Sequence, residues 1–111
     1  MTTEHDIQNA VRVALSQMGH KVFRVNTGTV KTEHGVFSTG VPKGFSDLFV
    51  VRKGDGRAVF IEMKKPGGRV RPEQVTFLHT MQEQGALAGI ARSVDDAIRI
   101  VEGNDGKANS G

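Results

Sequence analysis

The 111-residue chain has no cysteine, no tryptophan, no tyrosine and only three prolines. Without cysteine there is no disulfide framework, no zinc–thiolate site and no thiol nucleophile. Aromatic content confined to six phenylalanines leaves a core expected to be mostly aliphatic. No apolar run approaches the roughly 18 residues of a membrane-crossing helix. Met1-Thr2-Thr3-Glu4-His5-Asp6 is acidic where a secretion signal is basic and then greasy, so the expected compartment is cytoplasmic. What is present is ordinary for a folded chain. The 37% hydrophobic set and 14 glycines make about half the chain apolar, which excludes intrinsic disorder and collagen-like repeats. A net charge of +3 and a pI of about 9.6 admit polyanions as partners. This length supports one core, placed at residues 1–102, with a polar, glycine-containing tail over residues 103–111.

Ile7, Val11, Ala14, Leu15 and Met18 recur at helical spacing, Thr3 and Asp6 read as a capping box, and Gly19 is a stop. The first helix is therefore expected over residues 4–18. Residues 21–26 read as a strand, and residues 27–44 as a long loop or loose hairpin with Val36-Phe37 a short strand. Residues 47–51 and 57–64 read as strands joined by the turn Lys53-Gly54-Asp55-Gly56. Pro72 opens a second helix with Val75, Leu78 and Met81 on its apolar side and Gly85 at its end. Residues 86–91 form a small-residue strand, and Ser93 caps a last helix running through Val101. The order α-β-(β)-β-β-α-β-α describes an α/β or α+β domain with a mixed sheet.

A turn centred on Gly54-Asp55 sets Val50 opposite Val59 and Asp47 opposite Glu62. Opposed residues of antiparallel strands share a face, with Cβ atoms roughly 4.5–5.5 Å apart. Alternation adds Lys64 to that face and sends Leu48, Val50, Ile61 and Met63 to the other. Two carboxylates this close repel unless a proton or cation lies between them. Oxygen ligands suit Mg²⁺ or Mn²⁺, and magnesium commonly takes only one or two carboxylates. Such an ion acidifies bound water and offsets charge on a phosphodiester, and a neighbouring lysine stabilises the developing charge. A solvated strand face with an ordinary salt bridge is the plainer reading of an isolated E-x-K tripeptide.

Gly44-Phe45-Ser46-Asp47, Glu62-Met63-Lys64 and Gln74 together resemble the PD-(D/E)xK nuclease pattern. More narrowly, they resemble small stand-alone VRR-NUC domains of bacteriophages and bacteria, with Glu4 and Asn26 matching two further positions. Ser46 stands where that pattern often has proline. The resemblance implies a restriction-endonuclease-like fold, a mixed central sheet flanked by helices. It also implies a divalent-metal-dependent nuclease acting on structured DNA, including Holliday junctions. Carried over, Asp47 and Glu62 are metal ligands with the Met63 carbonyl a third. Lys64 is the catalytic lysine, Glu4 reaches the site from the first helix, and Gln74 holds a phosphate or orients Lys64. Glu4 equally suits a helix first turn through the macrodipole.

Lys21, Arg24, Lys31, Lys43, Arg69 and Arg71 are candidates for a phosphate-binding rim. Asn26, Lys31, Lys43, Ser46 and Arg71 are the expected DNA contacts. His5, His20, His34 and His79 show no metal-pair or triad spacing, and only His34 lies in the glycine-rich segment. No G-x-x-x-x-G-K-S/T loop is present, which rejects P-loop nucleotide hydrolysis. A catalytically idle DNA-binding module and an RNA nuclease remain as rivals. Cutting both strands of a junction suggests a homodimer, with Val30, Val36, Phe37 and the strand Ala86–Ala91 as candidate contacts.

Overall fold

Thr3 and Asp6 cap the first helix reciprocally. The Asp6 N–H donates to Thr3 Oγ1 at 3.0 Å, and the Thr3 N–H donates to Asp6 Oδ2 at 3.1 Å. This computed structural model describes residues 3–27 and 29–103, with the side chains of residues 29 and 30 left aside. Helix α1 (Glu4–Gln17) leads to strands β1 (Lys21–Arg24), β2 (Thr29–Thr32), β3 (Gly35–Ser38), β4 (Leu48–Val51) and β5 (Ala58–Met63). Helix α2 (Pro72–Glu83), strand β6 (Leu87–Ala91) and helix α3 (Val94–Glu102) complete the chain. The tail expected beyond Gly103 lies outside the described residues, as does the Val30 side chain.

The main sheet runs β1-β4-β5-β6, antiparallel except for the parallel β5–β6 pair. The β4–β5 register sets Leu48 against Ile61 and Val50 against Val59, as the Gly54-Asp55 turn requires. Strands β2 and β3 form a separate ribbon, and among the described residues its backbone approaches no other helix or strand. The segment expected as a loop or loose hairpin is thus a projecting arm, with one more strand than Val36-Phe37 indicated.

The sheet's two faces bury different chemistry. Leu48, Val50, Ile61 and Met63 pack with Ile7, Val11 and Leu15 of α1 and Ala97, Ile100 and Val101 of α3. The opposite face joins Phe45, Phe49, Phe60 and Phe77 beneath α2, with Leu78 buried and Met81 packed alongside. Four of the ring pairs there have centroids 4.5–5.8 Å apart. The expected aliphatic core therefore holds for one face and not for the other. A fully buried aliphatic side chain contributes about 1.5–3 kcal/mol, so the more deeply buried α1/α3 layer carries most of the stability. Val75, expected in the apolar stripe of α2, is 36% exposed.

Candidate active site

Each residue of the Gly44–Asp47 segment has a separate physical task. Gly44 has φ +97°, and a Cβ there would lie 2.8 Å from the Glu73 carbonyl oxygen. Only glycine lets the loop press onto the first turn of α2. Phe45 anchors the segment in the ring layer, 4.5 Å from Phe77 between centroids. Ser46 is fully buried, and its hydroxyl donates to the Leu48 carbonyl at 2.9 Å. It is a brace at the entry to β4, which corrects the expectation that it meets DNA. Asp47 follows, just ahead of β4. Its Oδ2 accepts the Met63 N–H at 2.8 Å, and its carbonyl accepts the Val25 N–H at 2.8 Å. The acid is thereby tied to both neighbouring strands.

Glu62 and Lys64 come from the end of β5. Glu62 is 2% exposed, yet its Oε1 has no hydrogen-bond partner among the described residues. Its Oε2 accepts the Gln74 side-chain N–H at 3.0 Å and lies 4.0 Å from Lys64 Nζ. Burial first, then the Asp47 carboxylate within hydrogen-bonding reach, pushes the Glu62 carboxyl up to about 9. Lys64 opposes that rise, and the charge of Glu4, the first residue of α1, adds weakly to it. Asp47, Glu62, Lys64 and Gln74 are thus brought together, whereas Glu4 makes no contact with them among the described interactions.

The strand that carries Lys64 is held from behind. The Lys64 N–H donates to the Ala91 carbonyl at 3.0 Å. Arg92 Nη1 donates to the carbonyls of Lys65 and Gly68 at 2.8 and 2.9 Å, fastening the turn that leads to α2. Nothing in the local sequence pointed to Arg92, because its partners lie more than twenty residues away.

The basic residues divide. Arg24, Asn26 and Lys31 line an open cleft of about 680 Å³ together with Asp47. His5 and Gln8 of α1 also line it, and neither was among the expected site residues. Gln8 lies one helical turn beyond Glu4, and that spacing was the available signal. Lys43 is exposed on the loop between β3 and β4, and Arg69 and Arg71 are exposed on the loop leading into α2. Lys21 pairs with Val51 at the far end of the sheet, away from Asp47, and so is not on the rim. His34 is exposed on the arm, its Nε2 3.6 Å from Glu33 Oε1.

The donor set fits a hard divalent ion. Two neighbouring carboxylates, one with a buried oxygen lacking a partner and a strong tendency to hold a proton, present the charge and open valence that such an ion satisfies. Among the described residues no group of three or more His, Cys, Asp and Glu side chains is placed to hold a metal ion.

A mixed sheet with an acid entering one strand and E-x-K closing the next is the arrangement of PD-(D/E)xK-type nuclease domains. The VRR-NUC domain family matches over residues 4–95, and the chain belongs to that family. A solved structure described as a VRR_NUC domain has a TM-score of 0.63 and 19% identity, covering 91% of this chain and 97% of its own. No curated protein matches the chain. No helix among the described residues is long and apolar enough to cross a membrane.

Proposed function

We propose that this domain is a DNA endonuclease that hydrolyses phosphodiesters with Mg²⁺ or Mn²⁺, acts on branched DNA in the manner of a Holliday-junction resolvase, and works as a homodimer. The observation that carries the hydrolytic reading is the convergence of Asp47, Glu62, Lys64 and Gln74 at the ends of β4, β5 and α2. Asp47 and Glu62, with the Met63 carbonyl, hold the ion. When bound, it supplies an acidified water and offsets charge on the phosphodiester. Lys64 places a cation beside Glu62, where transition-state charge develops. Gln74 fixes the Glu62 carboxylate, on which the charge of Glu4 acts weakly.

The basic groups on both sides, Arg24 and Lys31 in the cleft and Lys43 and Arg71 near α2, support a substrate with more than one phosphate-bearing arm. Val36 and Phe37 are 63% and 55% exposed on the arm, which supports a second copy as their partner. The test is a labelled panel of duplex, flap, fork and four-way junction DNA, with a matched RNA duplex, incubated with and without Mn²⁺. Metal-dependent paired nicks in the junction are expected. Binding without cleavage of any substrate identifies the idle module, and preferential cleavage of RNA identifies the ribonuclease. Light scattering giving a mass near 12 kDa for the protein alone, and no more than one bound copy per junction when DNA is added, ends the dimer reading.

A further inference from the structure

One ring stands apart from the layer beneath α2. Phe23 of β1 stacks on Phe49 of β4, with centroids 6.1 Å apart and planes inclined by 24°. Phe49 in turn meets Phe60 at 5.3 Å, so a row of rings runs from under α2 to the edge strand of the sheet. Helix α2 lies over β5 and β6, and among the described residues its backbone approaches neither β4 nor β1. The row therefore ends in the open. Phe49 covers one side of the last ring, and Phe23 is still 52% exposed.

Register places that ring beside the acid. Phe23 is paired with Phe49 and Arg24 with Leu48, and the Val25 N–H donates to the Asp47 carbonyl at 2.8 Å. Val25 is thus opposite Asp47, which makes Phe23 a diagonal neighbour of Asp47, at about 7–8 Å. By strand alternation Phe23, Phe49 and Asp47 share one face of the sheet.

Charge discriminates between occupants. Lys21 and Arg24, both exposed, bracket Phe23 on a four-residue strand. A second copy paired on this edge about the strand's centre would set Lys21 against Arg24, and like charges directly opposed destabilise a strand pair. A polyanion meets the same charges favourably. Exposed rings among cations are what unpaired bases stack on, with their backbone held alongside.

We infer that Phe23 is a stacking platform for an unpaired base next to the scissile phosphate. The inference rests on the nuclease reading, because Asp47 marks where that phosphate lies. It names the feature of branched DNA that the site selects. A base within a continuous duplex is stacked on both sides and cannot reach the ring, whereas a flap, a fork or an open junction offers free bases beside the branch.

The chain has no tryptophan and no tyrosine, so Phe23→Trp introduces a single indole. Its emission reads stacking directly in the full-length protein. Titration with forked DNA should quench that emission, and blunt duplex should leave it unchanged. An abasic site at one position by the branch should abolish the quenching, and abasic sites farther off should not. Anisotropy without metal supplies the second measurement. Phe23→Leu keeps an apolar side chain against Phe49 and should bind forked DNA about fivefold or more weakly, while Phe23→Tyr keeps the ring and should bind like wild type. Equal quenching by duplex and fork, quenching indifferent to abasic position, or unchanged fork affinity in Phe23→Leu would overturn the inference. So would a Phe23→Leu protein whose only change is a lower mass by light scattering, which assigns the ring to a second copy. The nuclease reading fails separately. Position-specific quenching in a protein that cleaves no DNA keeps the platform and removes the nuclease, and metal-dependent cleavage without quenching does the reverse.

Discussion

Gln74 donates to Glu62 Oε2 at 3.0 Å while its own Oε1 accepts the Arg71 N–H at 2.9 Å. One amide therefore closes the first turn of α2 and holds a buried carboxylate in the site. The same side chain makes the helix-start contact and the contact to Glu62, a pairing the sequence did not indicate. Gln74→Ala removes both bonds. Loss of the cap should cost about 0.5–2 kcal/mol, as for other helix-start contacts. Cleavage should fall more than tenfold, since Glu62 loses its side-chain donor. Urea unfolding together with single-turnover cleavage checks the pair, and unchanged turnover would reduce Gln74 to a cap.

Asp47 separates two functions in the same way. Its Oδ2 accepts the Met63 N–H, and asparagine retains an oxygen for that bond whereas alanine does not. Both Asp47→Asn and Asp47→Ala should abolish cleavage and leave DNA binding largely intact. Only the alanine variant strands a buried N–H, at a cost of about 1–3 kcal/mol. Thermal unfolding should rank wild type and Asp47→Asn together above Asp47→Ala. Full Mn²⁺-dependent activity in either variant would remove Asp47 from the metal site.

Much of this geometry was legible before the fold. The Gly54-Asp55 turn set the β4–β5 register, and the register set Asp47 against Glu62. Thr3 and Asp6 announced their cap. The ring layer was not legible, because Phe45, Phe49, Phe60 and Phe77 meet only once α2 has crossed the sheet. Ser46 misled because a short polar residue in a loop resembles a contact, and its burial follows from packing around it. Arg92 and the cleft wall at His5 and Gln8 depend on the same long-range assembly.

Glu62 carries the pH dependence. Its carboxyl is raised from 4.5 to about 9, chiefly by burial and then by Asp47. Between those values the folded chain holds a proton that the unfolded chain releases. The stability from neutral Glu62 is therefore complete below the ordinary value and is lost as pH rises through the raised one. Glu62→Gln fixes the neutral form, so at pH 8 without metal it should be more stable than wild type by about 1–2 kcal/mol, or roughly 5–10 °C in Tm. Adding Mn²⁺ should raise the wild-type Tm and leave the variant's nearly unchanged. Scanning calorimetry at pH 5 and pH 8 measures both, and a variant less stable than wild type at pH 8 would contradict the assignment.

Lys64 lies 4.0 Å from Glu62 and opposes its protonation. Lys64→Met keeps the apolar stem and removes the charge, so the fold should persist. Metal should still bind, more weakly at neutral pH because Glu62 gives up its proton less readily. Turnover should drop by at least a hundredfold, as expected when a charge acts on the transition state. If calorimetric titration with Mn²⁺ instead shows metal binding eliminated at every pH, Lys64 is part of the ion's support rather than of catalysis.

Gly44 tests whether the site depends on the loop pressed against α2. Its φ of +97° is one that residues with a side chain rarely adopt, and a methyl group would come within 2.8 Å of the Glu73 carbonyl oxygen. The obstacle is backbone in the first turn of α2, so it cannot be relieved by turning a side chain. Gly44→Ala should cost about 1–3 kcal/mol from the conformation alone, with the clash in addition. The loop must then lift from α2 or α2 must tilt. Either movement changes the relation between Asp47, three residues along the loop, and Gln74, one residue past Glu73. The loss should therefore appear as lower kcat and weaker Mn²⁺ affinity, beyond the fall in Tm. An alanine at Gly54, in the distant β4–β5 turn with φ +100° and open space around it, provides the control. It should lower Tm by its own conformational strain and leave kcat and Mn²⁺ affinity near wild type. Equal catalytic losses in the two variants would show that Gly44 contributes only general stability.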